Sequence, residues 1–198
     1  MKALFLLGVE PTFDAADPLA ARDALKNAGL VVSMTPFKDA NTDIADVLLP
    51  IAPFTETGGS FVNAEGRLQT FHGVVKPLGE TRPAWKVLRV LGNLLGLKGF
   101  EQETVEEVRA QAGLADITAR LDNSSAAAIA TPGARTALER VADVPIYCTD
   151  LIVRRAPALQ ATADARAPVA SLPSGVWQAL NMADGGKVKL TQGAPGAG

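Results

Sequence analysis

The chain has 198 residues, 47% apolar and 20% charged, with 19 Lys+Arg against 21 Asp+Glu and a formal net charge of −2. That apolar share belongs to a globular chain with a buried core, not a disordered one, and the balanced charge excludes a surface built to neutralise nucleic-acid or membrane phosphates. One cysteine, Cys148, and one histidine, His72, exclude a disulfide framework and any cysteine- or histidine-rich metal cluster within these residues.

The apolar run Ala3 to Leu7 is too short for a signal peptide and meets Glu10-Pro11 at once. No stretch approaches the ~18 consecutive apolar residues a membrane helix needs. The expectation is a soluble, cytoplasmic chain with no direct membrane insertion, able to sit at the periphery of a membrane complex.

Lys2 to Leu7 reads as a short buried strand ending at Gly8. Asp17-Pro18 marks a helix start, with Asp17 as cap, and Gly29 is expected to supply a left-handed stop. Leu30 to Met34 is a second strand, which makes a β-α-β unit with parallel strands. Ala45 to Leu49, stopped by Pro50, is a third. Ligands of such sheets bind in the loops beyond the carboxyl ends of the strands.

Gly58-Gly59 predicts a turn with positive φ, and Ser60 to Asn63 with Leu68 to Phe71 predicts a hairpin turning at Glu65-Gly66. Pro83 to Leu95 is an amphipathic helix, with Lys86, Arg89 and Asn93 on one face and Val87, Val90, Leu91 and Leu94 on the other. Glu103 to Ala112 and Ala134 to Ala142 are further helices, the first ended by Gly113. Ile146 to Val153 reads as a strand with Cys148 buried in it. Ala156 to Pro173 reads as a loop, Gly175 to Asn181 as a short helix and Lys187 to Thr191 as a last strand. The fold class is α/β: a small open parallel sheet with flanking helices and a hairpin, then a truncated, mostly β C-terminal piece. The domains expected are 1–143 and 144–198.

Neither GxGxxG nor GxxxxGK[ST] is present, and there is no nucleophile elbow. His72 has no acid or nucleophile near it in sequence and reads as an ordinary, partly exposed histidine. The dense polar stretch is Thr55 to Gln69, just beyond a predicted parallel strand. It is either a loop whose backbone approaches a large polar ligand or a hairpin that satisfies itself, with Asn63 and Glu65 bonding turn N–H groups and Arg67 paired to an acid. Arg154-Arg155 points to pairing with acids at an interface more than to binding an anion.

Ala45 to Gln69 carries a family signature. Asp46, Pro50, Glu56, Gly59, Phe61, Asn63, Glu65, Gly66, Arg67 and Gln69 stand where the molybdopterin oxidoreductase family has its A-D-x-x-L-P strand, its E-x-x-G loop and its F-x-N-x-E-G-R-x-Q hairpin. Gly8 after the first strand and Gly79 to Trp85 (GETRPAW) resemble its flanking motifs. The E-G-R form, and Tyr147 to Gln160, resemble the G-type subunit family of NADH-quinone oxidoreductase, respiratory complex I.

The resemblance implies a non-catalytic scaffold fragment of an electron-transfer subunit, starting a pterin-dinucleotide-type barrel at its C-terminal end. It implies no catalytic and no metal-binding residue here. Gly8, Glu56, Asn63, Glu65 and Arg67 would be vestigial pterin-side residues, of which the last four hold the hairpin in shape. It implies no cofactor in this fragment: the iron–sulfur clusters belong to a cysteine-rich N-terminal part of the parent subunit, and molybdopterin is not expected. Glu10 places a negative charge where pyrophosphate oxygens would lie. The implied partners are that cluster-bearing part and other peripheral-arm subunits of complex I, with no nucleic acid, and the place is the peripheral side of the inner membrane. A working formate dehydrogenase-like enzyme, with Gly8 to Asp14 and Glu56 to Arg67 touching the pterin, is the alternative. A free-standing binding domain is a third.

Overall fold

The opening β-α-β unit forms as its residues predict. A computed structural model describes residues 1–114, 117–122, 124, 126, 141, 144–165, 169–183 and 185–190. Strand β1 (Leu4–Leu7) leads through a one-turn helix, α1 (Pro11–Asp14), into α2 (Pro18–Lys26) and then β2 (Val31–Thr35). Asp17 caps α2, its Oδ1 accepting from the N–H groups of Leu19 (3.1 Å) and Ala20 (3.0 Å). Strand β3 (Val47–Pro50) completes a parallel sheet of order β1-β2-β3, with Leu4 opposite Val31 and Val32 opposite Val47.

The middle strand β2 is buried along its whole length. Leu6, Leu25 and Val31 form the core, with Leu4, Ala28, Ile44 and Ala45 packed around them. Asp46 locks the entry to β3 onto β2. Its N–H donates to the Val31 carbonyl (2.9 Å) and its carboxylate accepts the Val31 N–H (2.7 Å). This accounts for an acid just before an otherwise apolar strand: the first N–H of the buried middle strand needs an acceptor.

Strands β4 (Gly59–Val62) and β5 (Leu68–Phe71) form an antiparallel hairpin whose turn uses Gly66 at φ +78°. Two glycines serve a purpose other than the expected one. Neither Gly58 nor Gly59 has positive φ; a Cβ on Gly59 would lie 2.6 Å from the Phe71 ring, which stacks on Phe61 at 5.3 Å. Gly29 is likewise not left-handed; a Cβ there would meet the Lys2 carbonyl oxygen at 2.8 Å. Close approach, not dihedral freedom, demands glycine at both.

Helix α3 (Ala84–Leu94) follows Arg82, which bridges Ile51 beyond the end of β3. The Ala52 N–H donates to the Arg82 carbonyl at 2.9 Å. The Phe100 ring folds back over Gly92. The two expected faces of α3 are not separated by burial. Val90 and Leu94, assigned to the apolar face, are 48% and 80% exposed, while Arg89 on the polar face is half-buried. Helix α4 (Val105–Gln111) is capped by Thr104 and ends at Gly113, φ +63°. Arg109 Nε donates to Ser60 Oγ at 2.9 Å, tying α4 to the hairpin.

Beyond residue 144 the α/β class stands but the expected strands do not form. Ile146–Cys148 is a 3-10 turn, followed by α5 (Leu151–Arg154), α6 (Pro157–Gln160) and α7 (Ser174–Ala179). The reason is local. Asp150 Oδ1 accepts from the N–H groups of Ile152 (2.7 Å) and Val153 (3.1 Å), an N-cap that turns a β-branched run into a helix start. Pro157 starts α6 inside what reads as a loop. Cys148 is half-buried in the turn, not a buried strand residue. Lys187 to Leu190 has no regular structure, and Thr191 lies outside the described residues, as does the helix expected over Ala134 to Ala142 apart from Val141. Among the described residues no helix is long and apolar enough to cross a membrane.

Candidate functional site

The loops at the carboxyl end of the parallel sheet hold the strongest charge cluster of the described residues. Glu10 follows β1 and is the N-cap residue of α1, whose last residue is Asp14; Asp39 lies beyond β2. The side chains of Arg154 and Arg155 enter from the C-terminal segment and meet all three acids. Arg154 Nη1 donates to Glu10 Oε2 at 2.9 Å, Nη2 donates to Asp14 Oδ1, and Nε donates to the Cys148 carbonyl at 2.6 Å. Arg155 forks onto Glu10, with Nη2 to Oε1 at 2.6 Å and Nη1 to Oε2 at 3.1 Å. Its Nε reaches Asp39 Oδ1 at 3.0 Å and Oδ2 at 3.2 Å. The Arg154 guanidinium lies over the Phe13 ring (4.7 Å) and that of Arg155 over Phe37 (4.6 Å).

Burial makes these contacts count. The side chains of Glu10 and Arg154 are 6% and 9% exposed. Burial pushes the Glu10 carboxyl up, but hydrogen bonds from Arg155 and Arg154 outweigh it and hold its pKa below the ordinary value. For Arg155 the hydrogen bond to Glu10, and for Arg154 those to Asp14 and Glu10 working against burial, hold the guanidinium pKa values above the usual range. The bidentate fork between Arg155 and Glu10 is the strongest geometry available to such a pair.

The pairing of Arg154-Arg155 with acids follows the sequence expectation, but sequence does not name the acids. Nothing in it links Glu10 to a residue 144 positions away. Asn41, φ +60° and buried, carries no sequence signal either; its Nδ2 donates to the Val9 carbonyl (2.8 Å) and to Ser33 Oγ (3.0 Å) beneath the same loops.

The residues singled out by sequence do not converge. Gly8, φ +60°, ends β1 and donates its N–H to the Met34 carbonyl at 2.9 Å. Asn63 Oδ1 accepts from the N–H groups of Glu65 (3.0 Å) and Arg67 (2.9 Å), closing the hairpin turn. Glu65 and Arg67 pair loosely with each other at 3.8 Å on the surface. Glu56 Oε2 accepts the Leu78 N–H at 2.9 Å. Of these five, only Glu56 lines the broad open groove of about 770 Å³ beside the hairpin, whose walls mix Lys76, Arg82 and Lys86 with Glu103 and Glu106. His72 is exposed, and no group of three metal-ligating side chains occurs among the described residues.

A pterin dinucleotide is the group the resemblance implies, and the residues as arranged at the carboxyl end of the sheet do not fit its pyrophosphate. The carboxyl-end crevice carries the buried Glu10 carboxylate, and the two guanidiniums that could meet an anion are already committed to protein acids.

Residues 1–94 match the model of the molybdopterin oxidoreductase family. Two kinds of relative stand side by side among the similar proteins. The G-type subunit of NADH-quinone oxidoreductase from Mycobacterium bovis is 40% identical over 113 residues, 55% of this chain and 14% of that protein. The NADH-ubiquinone oxidoreductase 78 kDa subunit of Candida albicans is 34% identical over 112 residues, 57% of this chain and 14% of that protein. The F420-dependent formate dehydrogenase 1 subunit alpha of Methanococcus maripaludis is 31% identical over 109 residues, 54% of this chain and 16% of that protein. The chain thus spans only a small part, 10–16%, of the length of the curated relatives it matches.

Proposed function

We propose that this chain is part of a G-type subunit of NADH-quinone oxidoreductase and serves there as a cofactor-free scaffold. The observation that carries this reading is the buried Glu10–Arg154–Arg155 network at the carboxyl end of the sheet. A crevice that held an anionic cofactor would leave its arginines free for the ligand, whereas here they neutralise the protein's own acids. The 40% and 34% identity to NADH-quinone and NADH-ubiquinone oxidoreductase relatives, over 113 and 112 residues, supports the same reading. In this role the domain packs beside a cluster-bearing part of the same subunit and beside other subunits of the peripheral arm. It excludes water there and fixes the surroundings of the clusters without adding ligands. Its place is the cytoplasmic, peripheral side of the membrane.

The second reading, a piece of a formate dehydrogenase-like molybdopterin enzyme, is favoured by relatives bearing that name at comparable identity. Molybdenum and pterin analysis of the purified full-length parent separates the two. The scaffold reading expects neither; stoichiometric molybdenum with pterin overturns it.

A further inference from the structure

The parallel sheet is covered on one face and open at the margins of the other. Leu6, Leu25 and Val31 pack together on the face that α2 covers. On the opposite face the register lines up two apolar rows, Phe5–Val32–Val47 and Leu7–Met34–Leu49. The middle of each row is buried, Val32 at 6% and Met34 at 1% exposure. The flanks are not: Phe5 and Leu7 on β1 are 48% and 47% exposed, and Val47 on β3 is 40% exposed.

The outer edge of β1 is open as well, since β1 ends the order β1-β2-β3. The Leu4 N–H donates to the Leu30 carbonyl (2.8 Å) and the Gly8 N–H to the Met34 carbonyl (2.9 Å), so the even-numbered residues face β2. Strand alternation turns the N–H and C=O groups of Phe5 and Leu7 the other way. Neither residue has a backbone hydrogen-bond partner on that side among the described residues. Nothing guards the edge: Leu4–Leu7 carries no charge and no proline, and its pairing runs without a bulge. Parallel sheets occur almost only with both faces covered. Free edge groups beside an uncovered apolar face are the mark of an inner strand of a wider sheet.

We infer that β1 pairs along its outer edge with a further parallel strand of a longer subunit, whose connecting helix lays an apolar face over Phe5 and Leu7. Length and orientation argue for this occupant. Curated relatives are matched over only 10–16% of their length, so most of each lies outside the matched stretch. A parallel neighbour needs a crossover of roughly a dozen residues or more, usually a helix, which delivers strand and cover together. A second copy meeting β1 about a two-fold axis would run antiparallel over four residues and set one uncovered face beside another. The inference rests on these residues being part of a longer subunit, not on that subunit being free of cofactor.

The test compares residue-resolved hydrogen exchange in this chain and in the purified full-length parent. In this chain the Phe5 and Leu7 amides are expected to exchange freely while those of Leu4 and Gly8, bonded to β2, are slowed. In the parent all four are expected to be slow, with Phe5 and Leu7 slowed about a hundredfold or more relative to this chain. Phe5→Thr and Leu7→Thr keep strand preference but remove apolar area. They are expected to lower the urea concentration at which Leu4 and Gly8 lose protection, and to lower it further in the parent than in this chain. Equally fast exchange of Phe5 and Leu7 in both proteins overturns the pairing, and equal shifts in both overturn the cover. Slow exchange of Phe5 and Leu7 in this chain, with dimers in sedimentation, would make the edge an interface between copies and also overturns the inference. Molybdenum in the parent overturns the scaffold reading and leaves these exchange rates as expected, so the two failures are distinguishable.

Discussion

Glu10 Oε2 and Arg154 Nη1 meet at 2.9 Å although 144 residues separate them in sequence. Their side chains are among the least exposed charged groups described. The contact fastens the segment around α5 to the carboxyl end of the parallel sheet, and Arg155 repeats the fastening one residue on. Charges this far from water are stable only as a set, so removing one member strands the others.

Arg154→Ala therefore leaves Glu10 with one guanidinium and Asp14 with none. The expected cost is about 3 kcal/mol, the scale for breaking a buried pair, read as a lower urea midpoint of the whole chain. Limited proteolysis should cut within residues 146–162 earlier than in the parent. Arg67→Ala is the contrasting case, because its pair with Glu65 is 3.8 Å long with both side chains over 70% exposed; no measurable change is expected. Equal effects from the two substitutions would show that the cluster is no more than surface decoration.

Acid should release the same fastening. The folded-state pKa of Glu10 is held below its unfolded value. Across the interval between the two, the unfolded chain binds more protons than the folded one, so stability rises with pH. The contribution is present in full above the unfolded pKa and is lost as pH falls through the folded one. Glu10→Gln should be less stable than the parent at neutral pH and should show a shallower loss of stability on acidification. The same acid slope in both proteins would assign the effect to other carboxylates.

Asn63 makes a different, local contribution. One side-chain oxygen serves two turn N–H groups, those of Glu65 and Arg67. Asn63→Ala removes the acceptor for both and should cost about 1 kcal/mol, the scale of a lost capping interaction. Asn63→Asp keeps the acceptor and should stay close to the parent. Chemical denaturation of the three proteins checks the order. An Asp variant as weak as the Ala one would mean that the amide nitrogen, not the oxygen, matters.

What is legible in sequence follows the range of the forces involved. The helix start at Asp17-Pro18, the parallel strands and the Glu65-Gly66 turn are local, set by one cap, one apolar run and one positive φ. Local reasoning fails where a local rival is stronger: the Asp150 cap turns Ile152 and Val153 into helix against their β-branched preference. Non-local packing is invisible. Gly59 and Gly29 look like turn glycines until the Phe71 ring and the Lys2 carbonyl come up against them. The acids that receive Arg154 and Arg155 cannot be chosen among 21 candidates without coordinates. In the hairpin the self-satisfying arrangement is legible as one of two alternatives, and the structure has Asn63 closing the turn and Arg67 beside Glu65.

Gly92 tests the non-local kind of glycine inside a helix. It sits in α3 with helical neighbours on both sides, where alanine is ordinarily favoured by up to about 1 kcal/mol. Here a Cβ would lie 2.4 Å from the Phe100 ring, which packs flat over the missing side chain. The ring must move for alanine to fit, and displacing a packed aromatic costs about 1–3 kcal/mol, more than the helix gains. Gly92→Ala is therefore expected to destabilise the chain. In a Phe100→Ala background, with no ring to displace, the same substitution should cost less. A double-mutant cycle by thermal or urea unfolding measures that coupling. Additive effects would mean that the ring does not rest on Gly92, and a stabilising Gly92→Ala would show that helix propensity outweighs the contact.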